Sequence, residues 1–439
     1  LGKGIQEKNC RLKLDFSEAQ LLSWSLDWPY VAMLHSCSIQ DSSGAYDWLI
    51  GVGEEAYIDE EADLTSFDHW IENSNGEFRF GVLSYDLRLQ FEKLPDVNAS
   101  AFKMPDIAFF KASVVIASKN GQIQLLKGPK SVLDDLVHFL PMSPKKQAWK
   151  FEDGMPKEEY SASFKEVKRL LQQGELYEMN LCRPFRASFS DWNSGDAESL
   201  FLQMLKKNPA VQSGFLRIDD KVILSSSPER YLLKNGRRLV SEPIKGTIAR
   251  HSDPKQDALH AEQLKNSRKE RSENVMIVDL VRNDLSRLSI PGSVEVKELF
   301  SIRRLPHVYQ MVSVVHSQME RDYSFSEILR ASFPMGSMTG APKVAAMREA
   351  DRLENFKRAW YSGSLGYIDP DENFDFNVLI RSVMIDAESR QALLGAGGAI
   401  TIESNEEDEF QETEVKARST IHSLGANVRS ATYSTNKEA

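Results

Sequence analysis

The segment KVILSSSPERYLLKNGRRLVSEPIKGT, residues 221–247, decides how the chain is read. Its β-branched and apolar runs, broken by Asn235-Gly236, read as strands around a tight hairpin. With that pair as a two-residue turn, Glu229 opposes Glu242, and Lys245 lies about three residues further along, roughly 10 Å of strand. Pro228, Pro243 and Gly246 interrupt the ladder at its open end. A long Glu and a long Lys placed there reach opposite sides of one small ring. Glu229 is then a candidate acid and Lys245 a candidate nucleophile. A lysine attacks only as a neutral amine, so its pKa is expected about 3 pH units below its usual value, roughly 4 kcal/mol of environmental bias. The bland reading is a cross-strand ion pair.

Outside this segment, two pairs of glutamates share one spacing. Glu270 and Glu273 are i, i+3 within RKERSENVMIVDLVRNDL (268–285), as are Glu409 and Glu412 in EFQETEVKA (409–417), with Lys416 one turn beyond. On helices, each pair faces one way. Four carboxylates turned into one cavity repel unless a hard cation neutralises them, and Mg²⁺, an oxygen-seeking ion that keeps positions for water and substrate, is the natural candidate. A solvated helix face is the bland alternative. Arg381 follows the apolar strand NVLI, where a guanidinium can hold a carboxylate through two hydrogen bonds. Gly395, Gly397 and Gly398 (GAGG) let a backbone approach an anion closely. His307 follows Pro306 at a strand start and, taken alone, reads as a satisfied core histidine.

Elsewhere the pattern mixes strands and helices. Residues 78–126 read as β structure with a hairpin turn at Asn120-Gly121, and the Pro-marked stretch 141–157 reads as a linker. YSASFKEVKRLLQQG has helical periodicity with a Gly stop. ELYEMNLCRPF alternates as a strand, with Glu178, Asn180 and Cys182 on one face. One long helix is expected from about 257 to 288, others near 324–332, 342–355 and 406–424, and strands near 364–369 and 376–386. Without a strict strand–helix–strand rhythm, the class is α+β.

The chain has 439 residues and a formal net charge of −10. That length allows two or three domains or one large sandwich. The acidic balance argues against nucleic acid as a partner. No apolar run reaches the ~18 residues of a membrane span. Three widely spaced cysteines (Cys10, Cys37, Cys182) suit neither a disulfide framework nor a zinc site, and Leu1-Gly2-Lys3-Gly4 shows no signal-peptide pattern, so a reducing cytoplasm is expected. GSMTGAPK (336–343) has Pro before its Lys and no following Ser or Thr, so it is not a phosphate loop.

Taken in order, SSSPER (225–230), PIKGT (243–247), RKERSENVMIVDLVRNDL, GSMTGAPK, GSLGY (363–367), LIRS (379–382), GAGG and EFQETEVKA resemble the chorismate-utilising enzyme family. The resemblance is dense over about 155–425 and weaker in VAMLHS (31–36) and SYDLRLQFEKLP (84–95). It implies a large α/β/β/α sandwich of mostly antiparallel sheets flanked by helices, in which an N-terminal region (1–145) and a chorismate-binding catalytic region (155–425) intertwine. It implies chorismate as substrate, Mg²⁺ held by Glu273 and Glu412 with Glu270 and Glu409 nearby, and Arg381, Lys416 and the GAGG backbone on the substrate's carboxylates and enolpyruvyl group. His307 and Thr339 match pocket positions near the departing hydroxyl.

Within the family, PIKGT discriminates. Anthranilate synthase large subunits carry Ala where this chain has Lys245, and Lys there resembles the branch that forms aminodeoxychorismate for para-aminobenzoate and folate. In that branch Lys245 would attack C2, Glu229 would protonate the departing 4-hydroxyl, and ammonia would then displace the lysine. Isochorismate- and salicylate-forming members place a water-activating Lys near residue 178. This chain has Glu178, where aminating members usually have Gln, which removes that base and leaves the role of Glu178 open. None of KNCRL, LHSCSI or NLCRP resembles a glutaminase nucleophile elbow, so the resemblance implies ammonia from a separate glutamine amidotransferase subunit. VAMLHS resembles the region that forms a tryptophan pocket in relatives, with Ser36 carried over; a β-edge serine without ligand stands beside that reading. An anthranilate or aminodeoxyisochorismate synthase is disfavoured by Lys245. A noncatalytic regulatory subunit of the same fold is disfavoured by the retained Lys245, Glu229 and both glutamate pairs.

Overall fold

Along the strand Tyr30–His35, successive side chains enter different cores: Val31 and Met33 join helix residues Leu21, Leu22 and Trp24, while Ala32 joins Phe80 and Val82. This period of two, repeated along the strands, builds apolar layers on both faces of a sheet. The computed structural model describes residues 16–428 except 38, 40–42, 62 and 144–148. Leu1-Gly2-Lys3-Gly4, Cys10 and Pro144 lie outside the described residues.

Two sheets, of twelve and ten strands, form the sandwich, and pairing is antiparallel except where Asn427–Val428 runs parallel to Lys150–Asp153. Both sheets draw on both halves of the sequence. In the first, Tyr30–His35 pairs with Gln212–Ile218; in the second, Arg79–Leu83 pairs with Ser364–Ile368. The expected α+β sandwich is therefore observed, with helices covering the sheets. Lys150–Asp153, within the stretch read as a linker, is a strand paired with Glu178–Ser188 on one side and Asn427–Val428 on the other.

Three local expectations are corrected. Lys221–Ser227 belongs to the first sheet and Arg230–Asn235 to the second, so the chain changes sheets through Pro228-Glu229. In the hairpin that follows, Asn235 pairs with Arg238, leaving Gly236-Arg237 as the turn, and a bulge then sets Arg230 rather than Glu229 opposite Glu242. Glu242 is neutralised there by Arg230 at 3.1 Å and Arg303 at 2.9 Å. The long helix is two helices, Pro254–Asn266 and Arg268–Ser286, because Ser267 leaves helical geometry and its hydroxyl caps the second at Glu270. The segment expected as one strand at 376–386 is split into Phe374–Asn377 and Ser382–Asp386.

Beneath the sheets lies a buried ion pair, Arg358 with Glu354. Arg358 also donates to the carbonyls of Met338 and Asn180, and Glu354 accepts from the Cys182 amide, so the pair ties three backbone segments together. Removing one partner strands the other's charge in the core. Glu354→Ala is expected to cost about 3–5 kcal/mol, read as a lower denaturant midpoint at unchanged slope; a change under about 1 kcal/mol would mean solvent reaches Arg358.

Candidate active site

A backbone irregularity places Lys245. Ile244 faces Val312 but Thr247 faces Gln310, so one residue is inserted in the strand Ile244–Ala249. Such a bulge re-aims side chains out of the ladder's alternation. Gly246 absorbs it at φ +87°, and a Cβ there would lie 2.8 Å from Glu270 Oε2. Lys245 then projects into a cavity of about 620 Å³, shared with Glu229 and the helices carrying both glutamate pairs.

Lys245 Nζ donates to Glu178 Oε1 at 2.9 Å. The expected depressed pKa is not found. Burial pushes the ammonium down, but the charges of Glu178, Glu273 and Glu229 and the hydrogen bond outweigh it and hold Lys245 above the usual lysine value. Glu229 behaves oppositely: burial pushes its carboxyl up to about 7 against the pull of Ser337 and Lys245. A carboxyl in that state can donate a proton near neutrality.

All four paired glutamates line the cavity. Glu409 accepts from Lys269 at 2.9 Å, and Glu412 pairs with Lys416 at 2.7 Å. Lys416 lowers the Glu412 pKa by its charge, and it also donates to the Gly397 carbonyl. Glu270 and Glu273 are less well matched. Burial raises both, Glu273 to about 7, and Glu273 Oε1 is buried without a hydrogen-bond partner. Among the described residues, these glutamates do not bring three oxygens within 4.8 Å of one another; Asp220, Asp386 and Glu388 do, and Lys221 already pairs with the two aspartates of that group. An all-oxygen donor set with a buried carboxylate oxygen that accepts no hydrogen bond, Lys269 Nζ standing 3.9 Å away, fits a hard divalent cation.

Arg381 lines the same cavity and makes no ion pair among the described residues. It sits at φ +51°, a strained conformation for a non-glycine residue of the kind that clusters at functional sites. Gly395 and Gly397 line the cavity too, but a Cβ on Gly395 would meet the Tyr361 ring at 2.2 Å and one on Gly397 the Cys182 sulfur at 2.5 Å. Their smallness thus serves packing as well as approach. Gly398 lies beside the cavity, 3.0 Å from Glu409 Oε2 at the place a Cβ would occupy.

His307 is exposed at the cavity's edge. Thr339 does not line it; the Thr339 hydroxyl closes its own loop onto the Met335 and Gly336 carbonyls, and Ser337 and Met338 face the cavity instead. Ser36 borders a separate cavity of about 40 Å³ with Tyr46, Trp48 and Tyr367. That volume has room for a few waters, and an indole would require those side chains to move. Sequence reasoning did not single out Lys269 and Gln310. Lys269 stands four residues before Glu273, a spacing that signals an ion pair, whereas Gln310 carried no comparable signal.

A family profile described as chorismate binding enzyme matches residues 36–422. The chain is 37% identical over 339 residues to aminodeoxychorismate synthase component 1 of Escherichia coli, covering 76% of this chain and 74% of that one. It is 31% identical over 349 residues to anthranilate synthase component 1 of Saccharolobus solfataricus, covering 79% and 80%. Among solved structures, anthranilate synthase component I of Streptococcus pneumoniae superposes with a TM-score of 0.73 at 22% identity, over 85% of this chain and 91% of that one. The menaquinone-specific isochorismate synthase of E. coli, MenF, gives 0.73 at 19%, over 94% and 92%. These last two share the fold. With motif order, cavity and profile in agreement over most of its length, the chain belongs to the chorismate binding enzyme family.

Proposed function

We propose that this chain is the synthase component of an aminodeoxychorismate synthase, joining chorismate and ammonia into 4-amino-4-deoxychorismate for para-aminobenzoate and folate synthesis in the cytoplasm. The observation that carries the reading is the convergence of Lys245 and Glu229 in one cavity with an uncompensated Arg381. Arg381 and Lys416 would hold the substrate's carboxylates. Lys245 attacks C2 as a neutral amine while the ring double bond shifts and the C4–O bond breaks; Glu229 donates its proton, so the hydroxyl leaves as water. Ammonia then bonds to C4, the double bond shifts back and the C2–N bond breaks, its electron pair returning to Lys245. Glu229 recovers its proton from the new ammonium group. Dividing one hard displacement into two easier ones is the gain from a covalent intermediate.

Mg²⁺ would be held by Glu273 and Glu412, with Glu270 and Glu409 close by, and would supply positive charge for a substrate carboxylate. A separate glutamine amidotransferase subunit would supply ammonia. Burial pushes the Cys182 thiol up to about 12, which disqualifies it as a glutaminase nucleophile. Ser36 marks where tryptophan would bind if neighbouring side chains opened.

Purified protein given chorismate, Mg²⁺ and an ammonium salt is expected to form aminodeoxychorismate, identified by mass spectrometry. Lys245→Ala should lose about 10³-fold or more, the scale of losing a group that makes and breaks reacting bonds. Release of anthranilate and pyruvate by the parent protein would sink the assignment. Chelation with EDTA should abolish turnover and added Mg²⁺ restore it, with Glu273→Gln needing at least about tenfold more Mg²⁺. Glu229 donates only when protonated, a state present below about pH 7 and lost above it. The kcat/KM profile should therefore fall about tenfold per pH unit on its alkaline side, and Glu229→Gln should remove that limb along with most of the activity.

A further inference from the structure

The proposed nucleophile is held in its unreactive form, so some group must take a proton from Lys245 before it can attack. Charged groups face it from several elements: Glu178 from the strand Glu178–Ser188, Glu273 from the helix Arg268–Ser286, and Glu229 from the link between the sheets. Glu229 needs its proton for the departing hydroxyl. Glu273 is committed to the proposed cation. Glu178 is the hydrogen-bond acceptor for Nζ, at 2.9 Å, and its carboxylate is 1% exposed. Its second oxygen, Oε2, is buried without a partner. The backbone fixes it from two sides: Glu178 pairs with Ala341, and Met179 beside it opens the ten-residue ladder with Gln391–Ile400. Neither the composition of the cavity nor the covalent mechanism assigns this carboxylate a task.

We propose that Glu178 is the proton acceptor that converts Lys245 into a neutral nucleophile and returns the proton when the amine leaves. In the first step one N–H proton passes from Nζ to Glu178, leaving a lone pair that forms the N–C2 bond. The adduct is then a secondary ammonium. When ammonia bonds to C4, the N–C2 bond breaks and its electron pair returns to Nζ as a neutral amine. Glu178 gives the proton back, and both groups end as they began. No oxidant or further reactant is required. The short contact lets the same pair store the lysine as an ammonium and release it without solvent.

This inference rests on Lys245 being the nucleophile, and the variants separate the two. Parent, Lys245→Ala, Glu178→Gln and Glu178→Asp are assayed with chorismate, ammonium and Mg²⁺, with thermal melts as a check on folding. Glu178→Gln is expected to keep KM while kcat falls about 100-fold or more, and its deficit should shrink as pH rises because hydroxide replaces the missing base. If Lys245→Ala turns over like the parent, the nucleophile reading fails and this inference with it. If Lys245→Ala is inactive but Glu178→Gln matches the parent within about twofold, with the parent's pH profile, the nucleophile stands and the proton acceptor is overturned. Should Glu178→Gln not fold, Glu178→Asp decides, since it keeps the carboxylate but withdraws it from Nζ. A fall in its kcat of at least about fivefold supports the role, and parent-like turnover overturns it.

Discussion

Charge taken out of water must be matched where it lies, and this requirement governs the molecule's centre. Five glutamates (Glu229, Glu270, Glu273, Glu409 and Glu412) and five cations (Lys207, Lys245, Lys269, Arg381 and Lys416) line one cavity, and Glu178, bonded to Lys245, adds a sixth carboxylate. The matching is uneven. Glu409 and Glu412 each have a lysine in contact, whereas burial drives Glu229 and Glu273 up to about 7. These two poorly compensated carboxylates do different work. The first would keep a proton to give away, and the second has an oxygen that accepts no hydrogen bond, with Lys269 Nζ 3.9 Å off. A dicarboxylate entering such a cavity would add two more negative charges, which would make the proposed divalent cation an electrostatic partner of the substrate as much as of the protein.

The fold supplies the positions that this balance needs through breaks in regular structure. Glu229 sits where the chain leaves one sheet for the other, Lys245 in a bulge, Arg381 at a left-handed residue, and Glu270 and Glu273 on a helix that starts anew at Ser267. Each break costs regular hydrogen bonding, and the nearby backbone at Asn180, Cys182 and Met338 is held by a buried ion pair. Arg358 holds the Asn180 and Met338 carbonyls, and Glu354 holds both Arg358 and the Cys182 amide. Strained or irregular backbone persists only where its surroundings over-determine it; around Asn180, Cys182 and Met338 those surroundings are ionic and buried.

What could be read from the sequence follows from how local each signal is. The glutamate pairs were legible because helical spacing alone puts Glu270 with Glu273 and Glu409 with Glu412 on one face. The strand face of Glu178, Asn180 and Cys182 was legible from alternation. The facing residue of Glu242 was not, because the turn falls at Gly236-Arg237, one position later than read, and a bulge between Arg230 and Leu233 then takes back one residue; such slips leave no mark in a two-residue period. That Thr339 lies behind the cavity wall was not legible for a related reason: its loop turns back on itself, so the neighbouring Ser337 and Met338 reach the cavity. The GAGG glycines were legible as close approaches, but the partner of Gly395 is a ring 34 residues upstream, Tyr361, which only the folded packing reveals.

The pairing of positions 178 and 245 shows why the sign of a charge can matter more than its presence. The two side chains meet from different sheets at 2.9 Å, so exchanging them, Lys at 178 and Glu at 245, would leave the cavity's net charge unchanged. It would, however, move this amine to the opposite wall and present a carboxylate where it now stands. Composition, net charge and the cation balance would all be the same, yet the group able to form a bond with carbon would face another atom of the same bound ring. On the proposed reading, such a site would fix its substrate through the shared carboxylates and cations, and its reaction through the orientation of a single ion pair.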